Sequence, residues 1–200
     1  MSNTKISKNI KRLTGIAVLS AIIVVLQVVS ALLARFTLLP FSITLTLIPI
    51  VIGAAVYGMR SGAFLGGVFG VVVLILCISG LDVGGNILWN ANPLMTALLC
   101  LVKGAAAGFF AGVFYTLLAK INSYLGVAAA AIISPVVNTG IFLAAMVLFY
   151  NDILTAWAAG TPILSYMIFG LAGVNFIIEF VSNIVLSPVV ARILKIKAKM

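Results

Sequence analysis

Apolar residues run along this chain in stretches of roughly twenty, and short polar clusters divide them. The runs predict six helices, at about 13–34, 42–58, 62–80, 94–119, 124–149 and 164–191. Stretches of that length suit helices that cross a bilayer; the weaker ten-residue alternation of a membrane barrel does not match them. The connections read RFTLLPF, YGMRSG, SGLDVGGNILWNANP, KINSY and YNDILTAWAAGTP, the third and fifth being the long ones. The second span is the shortest, with Pro40 at its entry and Pro49 marking an expected kink.

Small residues punctuate the apolar runs at regular intervals. Gly62, Gly66 and Gly70 recur every fourth residue, as do Gly104, Gly108 and Gly112. Each set forms one smooth helix face that lets a neighbouring backbone approach closely. Arg60 falls in YGMRSG, which reads as a very short turn with Gly58 and Gly62 supplying its flexibility. In the first span Ala17 and Ala21, with Gly15 and Ser20 nearby, make a low-relief patch. Such a patch suits either a partner subunit or a neighbouring helix of the same bundle.

Composition sharpens the class. The chain has 200 residues, 64% hydrophobic and 8% charged, with a mean hydropathy of +1.34. A soluble domain of this size cannot cover that surface with polar groups, so the expectation is an all-α, multi-pass membrane protein forming one domain. The net charge of +9 comes mostly from residues at span ends. Membrane orientation accounts for them, and no nucleic-acid partner is expected. With the N-terminus inside, Lys5, Lys8, Lys11, Arg12, Arg60, Lys120, Arg192, Lys195, Lys197 and Lys199 lie on the cytoplasmic side, against Arg35 alone outside. Both termini are therefore expected inside. The run Leu13–Ala34 is longer than the about 7–15 residues of a signal-peptide apolar region, so it reads as a retained first helix.

There is no histidine, and the acids are Asp82, Asp152 and Glu179. That argues against histidine-dependent hydrolysis, zinc sites of the usual histidine type and paired-carboxylate catalysis. Cys77 and Cys100 read as small core residues. No catalytic residue, metal ligand or cofactor is expected.

Ionisable groups inside a membrane are expensive, so candidate function concentrates on them. Lys103 lies about nine residues into the fourth span, roughly 13 Å below its outer end. Glu179 belongs to NFIIEFVSN, where Asn175, Glu179 and Asn183 share one helix face. Asn138 adds an amide from the fifth span. Lys103 and Glu179 either neutralise each other or serve a substrate. Glu179 sits about 22 Å from the outer end of its span, so a direct pair needs a tilt or slide between helices. The third connection offers Trp89, Asn90 and Asn92 for stacking and hydrogen bonds, on a segment its glycines make mobile. Asp152 and Trp157 repeat the theme in the fifth connection.

The whole sequence resembles the substrate-binding (S) component of energy-coupling-factor (ECF) vitamin transporters. The resemblance lies in six helices with an alanine pair, Ala17 and Ala21, in the first. It continues through SITLTLIPIVIGAAVYGMRSGAFLGGVFG and then NP (Asn92, Pro93), which opens a helix with VKG (Lys103, Gly104). Many relatives carry arginine where this chain has Lys103. The pattern is most similar to the pantothenate-type branch. The resemblance implies a cell-membrane protein that captures a vitamin outside, under the first, third and fifth connections. Lys103, Trp89, Asn90, Asn92, Asn138, Asn175, Glu179 and Arg35 are then the candidate contacts. Its implied partners are a transmembrane scaffold subunit, docked at Ala17 and Ala21, and two cytoplasmic ATPases. Consistent with that division of labour, the chain has no Walker A loop of its own. Two other readings remain open: a self-sufficient ion-coupled secondary transporter, and an S component for a different vitamin. A membrane-embedded transferase is disfavoured, since acidic DxxxD metal motifs are lacking.

Overall fold

The computed structural model describes residues 2–34 and 45–199. In chain order it comprises α1 (Ser2–Ala34), α2 (Leu47–Tyr57), α3 (Met59–Ile78), α4 (Val83–Ala91), α5 (Pro93–Leu118), α6 (Ser123–Phe149), α7 (Asn151–Ala158) and α8 (Ile163–Ser165). A π-helical segment (Tyr166–Ala172) and α9 (Gly173–Lys199) complete it, with no strand among the described residues. Among the described residues, four helices are long and apolar enough to cross a membrane: α1 from Asn9, α3, α5 and α6. A fifth is obtained if α7 and the Ile163–Ala172 stretch, bent by 87°, count as one. The 11 residues of α2 rise only about 16 Å, roughly half a hydrocarbon core.

Several connections differ from their expected form. The turn between α2 and α3 is a single residue, Gly58, at φ 90°, a conformation that suits a residue without Cβ. Arg60 and Gly62 are therefore not turn residues but lie in the first turns of α3. Pro49 produces no kink, because it occupies the first turn of α2, where its missing N–H has no intrahelical partner to lose. Pro40 lies outside the described residues. The two long connections are not open loops: they hold α4 and α7. The last span begins with a π-helical segment rather than a regular helix.

Side-chain caps set several of these boundaries. Asp82 caps α4 by accepting the Gly85 N–H at 2.7 Å. Asn92 caps α5, accepting the Met95 N–H at 3.2 Å, with Pro93 in the first turn. Asn122 does the same for α6 through the Tyr124 N–H at 2.8 Å. In each case a side-chain oxygen satisfies a donor that the helix cannot.

The centre of the fold is the antiparallel contact of α3 with α5. A Cβ added at Gly62 would fall on the Gly108 carbonyl, at Gly66 on the Gly104 carbonyl, and at Gly70 on the Cys100 carbonyl. The converse holds: Gly104 meets the Gly66 carbonyl, Gly108 meets that of Gly62, and Gly112 abuts the backbone of Met59. The two glycine faces expected from their spacing thus face each other, backbone on backbone. α6 continues the arrangement, its Ala130 clustering with Val51, Ala54 and Ala111. On the other flank Arg12 of α1 donates to Ser61 Oγ at 2.9 Å, and Thr46 donates to Gln27 Oε1 at 2.7 Å in the interior. Around this core the surface is apolar, with Leu13, Leu148 and Phe169 all at least two-thirds exposed (68%, 72% and 79%), as a lipid-facing exterior requires.

Because no neighbour can retreat from a backbone carbonyl, Gly66→Val and Gly104→Val should each destabilise the protein by about 1–3 kcal/mol or more. In detergent that lowers the melting temperature by about 2–12 °C. Gly67→Val, whose added Cβ meets open space, should stay within about 2 °C of the parent. Equal melts for Gly66→Val and Gly67→Val would contradict the backbone contact.

Candidate functional site

Two clusters of buried side chains meet near the ends of α3 and α5. One holds Ile23, Leu47, Ile50, Leu65, Phe69, Val73, Cys77 and Cys100. The other holds Leu88, Leu99, Ala145, Met146, Tyr150, Leu154 and Leu171. A cavity of about 30 Å³ lies at their seam, lined by Val73, Cys77, Asp82, Gly85, Leu88, Thr96, Leu99, Cys100, Lys103 and Phe142. That volume suits about one water molecule.

Lys103 reaches the cavity because the glycine contact fixes its depth. Its neighbour Gly104 is pressed on Gly66, which sets the register of α5 against α3. The side chain is half-buried, and its Nζ lies 5.4 Å from the centre of the Phe142 ring. A cation over an aromatic face is attracted by the ring quadrupole, worth about 0.5–2 kcal/mol depending on desolvation.

The opposite wall belongs to α4. Gly85 sits directly on the Cys77 sulfur, where a Cβ would collide with it, and Asn86 Nδ2 donates to the Cys77 carbonyl at 2.8 Å. The backbone N–H of Asp82 bonds the Leu76 carbonyl at 3.1 Å. These contacts hold the short helix down as a cover and place the buried Asp82 on the cavity wall beside Lys103.

A hydroxyl network braces the remaining wall. Thr96 Oγ1 donates to the Asn92 carbonyl at 2.9 Å. The Tyr150 hydroxyl lies 2.7 Å from Thr96 Oγ1 and 3.2 Å from that same carbonyl. Burial pushes the Tyr150 phenol above its ordinary range, which keeps it neutral and able to donate. The network ties the end of α6 to the start of α5.

The sequence candidates separate into those at this cavity and those elsewhere. Lys103 is the one that lines it. Trp89 turns inward and packs against the first core cluster. Asn90 is exposed and donates to Asn86 Oδ1 at 3.1 Å, while Asn92 is occupied in capping α5. Their segment is a capped helix seated on Cys77, not the mobile stretch its glycines suggested. Asn138 and Glu179 are buried, 7% and 2% exposed, in α6 and α9, and neither is among the lining residues. Asn138 Oδ1 has no hydrogen-bond partner among the described residues, and Asn183 Nδ2 donates to the Glu179 carbonyl at 2.8 Å. Arg35 lies outside the described residues, as does the side chain of Asn175. Ala17 and Ala21 are exposed on α1.

Sequence reading did not single out Asp82, Thr96, Phe142 and Tyr150 as a group. Asp82 carried one available signal, an acid in N-cap position just before an apolar stretch. The Thr96–Tyr150 pair, 54 residues apart, carried none.

Residues 11–191 match the family described as ECF transporter, substrate-specific component. No curated protein and no solved structure gives a significant match. The family match spans nearly the whole chain, and the chain belongs to that family. It is thereby a substrate-specific subunit of an ECF transporter, from a family of transporter subunits rather than enzymes, that works with an ECF scaffold and ATPase module.

Removing one hydroxyl tests the brace. Tyr150→Phe leaves the ring in place and deletes its bonds to Thr96 and Asn92, so it should cost about 0.5–1.5 kcal/mol. Thr96→Val should cost a comparable amount, and the double variant clearly less than the sum of the two, as for residues in one network. Strictly additive losses in thermal melts would show that the two hydroxyls act independently.

Proposed function

We propose that this substrate-specific subunit captures a carboxylate-bearing vitamin, pantothenate being the best fit, at the Lys103 cavity on the outer side of the cell membrane. A transmembrane scaffold subunit and two cytoplasmic ATPases then drive its uptake. The observation that supports this reading most is the placement of Lys103. It is a cation held inside the bundle by a backbone-to-backbone helix contact, lining a cavity whose other walls are mainly apolar. A small site with few polar groups orients its ligand through them, and an ammonium is the natural partner of a carboxylate.

In this reading the protein is a six-span bundle with both termini cytoplasmic, α4 and α7 capping its outer end. The excess of Lys and Arg near the N-terminus, the α2–α3 turn, the α5–α6 turn and the C-terminus supports that orientation. A cavity of about 30 Å³ holds no vitamin, so entry requires α4 to lift from its seat on Cys77. Ala17 and Ala21, exposed and small on α1, are suited to docking the scaffold helix on the side away from α5. The apolar exterior also fits a body that tips within the bilayer, since each charge moved through lipid costs several kcal/mol.

The test is binding by purified protein. A charge-assisted hydrogen bond is worth about 1.5–3 kcal/mol, so Lys103→Met should weaken pantothenate binding roughly ten- to several-hundred-fold, with the melting temperature falling by no more than loss of the Phe142 contact explains. If Lys103 instead serves to neutralise Glu179, Lys103→Met and Glu179→Gln would each destabilise the protein. The double variant would then recover both stability and affinity, and that recovery would contradict the proposal. Uptake into vesicles should require ATP and the partner subunits; uptake by the chain alone on an ion gradient would favour the secondary-transporter reading.

A further inference from the structure

We infer that the recess between α6, the π-helical segment and α9 is a binding site for one hydrocarbon chain of a membrane phospholipid. This site shares no lining residue with the Lys103 cavity, so it stands whatever solute that cavity takes.

The recess measures about 370 Å³, within the range of about 300–1,000 Å³ that ligand pockets occupy. Small residues open it from both sides. A Cβ added at Gly140 of α6 would meet nothing within 4 Å, and one at Gly173 of α9 would meet only the Ile168 carbonyl, at 3.6 Å. Between α3 and α5 the glycines bring two backbones together; here they leave a gap that no neighbouring side chain fills. The rim is apolar and faces outward, with Ile168, Phe169 and Ile177 49%, 79% and 58% exposed. Thr139 is the one polar side chain among the described residues that line it, and none of them is charged.

Depth fixes the medium. α6 is long and apolar enough to cross the membrane. Its 27 residues rise about 40 Å, roughly 5 Å beyond a 30 Å hydrocarbon core on each side. Residues 136–143 of the recess lie about 9–20 Å below the Phe149 end, hence roughly 4–15 Å below the headgroups, where the chains of one leaflet run. Other occupants fail on chemistry or size. Water needs two to four polar partners, and Thr139 supplies one side chain. One turn of helix with its side chains, about 10–12 Å across and 5.4 Å long, takes roughly 400–600 Å³, so a partner's helix does not enter. Left empty, the recess would forfeit dispersion contacts along its whole lining. A flexible hydrocarbon chain restores them. With no charge on the wall, the chain is recognised and the headgroup is not.

The probes are phosphatidylcholine and phosphatidylglycerol that each carry a photoactivatable diazirine midway along one chain, in bilayers holding the full-length protein. After illumination, mass spectrometry maps the labelled residues. Val71, Leu98 and Val102, exposed at comparable depth on α3 and α5, are the controls. Residues 136–143 and 168–177 should take at least about threefold more label than these controls, equally from both lipids. Gly140→Phe places a ring in the gap and should cut that labelling by at least about fivefold, with the controls unchanged. Even labelling of recess and controls in the parent protein would overturn the site, leaving ordinary lipid contact only, and that comparison needs no variant. A preference seen with one headgroup and not the other would contradict recognition through the chain. Unchanged labelling in a folded Gly140→Phe protein would overturn the site as well.

Discussion

The rest of the structure depends on the backbone contact between α3 and α5. In lipid, helix association gains nothing from the hydrophobic effect, so close packing and interhelical polar contacts have to hold the bundle together. Gly62, Gly66 and Gly70 on one helix and Gly104 and Gly108 on the other allow each backbone to lie against the carbonyls of its neighbour. That contact leaves the register of the two helices little freedom to slide. The register in turn places Lys103, next to Gly104, and Cys77, at the far end of α3, around one cavity.

The cavity then follows from what is stacked at the Cys77 end of that contact. Gly85 allows α4 to rest on the Cys77 sulfur, and Asp82 both starts α4 and joins the wall. Thr96 and Tyr150 tie α5 to the end of α6. α4 is seated by one glycine contact and a few hydrogen bonds, whereas the glycine contact beneath it cannot be altered without separating two helices. On the reading proposed above, Lys103 recognises the solute as a fixed charge and α4 is the element that moves to admit it.

Much of this was legible in the sequence, and the parts that were not have physical reasons. The four-residue glycine period identified both smooth faces, because helical periodicity converts spacing directly into a shared side. Lys103 stood out because a cation within an apolar run is costly wherever it points. The family resemblance was visible from diffuse features spread over the chain and agrees with the match across residues 11–191. By contrast Gly84 and Gly85 suggested a mobile loop, since glycine disfavours helix; tertiary contact with Cys77 overrode that propensity. Asp82 was counted as an acid yet not placed, because a capping residue at a cavity looks like any other until the neighbouring helix is in position. Tyr150 and Thr96 meet across 54 residues, a juxtaposition no local pattern encodes. Trp89 and Asn90, attractive as an aromatic and an amide in a supposed loop, fall on different faces of a helix, one inward and one to the surface.

The most direct test of the account is an experimental structure of the purified protein with pantothenate bound. The account predicts the carboxylate at about 2.7–2.9 Å from Lys103 Nζ, α4 displaced from Cys77, and the Gly66–Gly104 contact unchanged. A solute bound away from Lys103, or Lys103 turned to pair with Glu179, would contradict it.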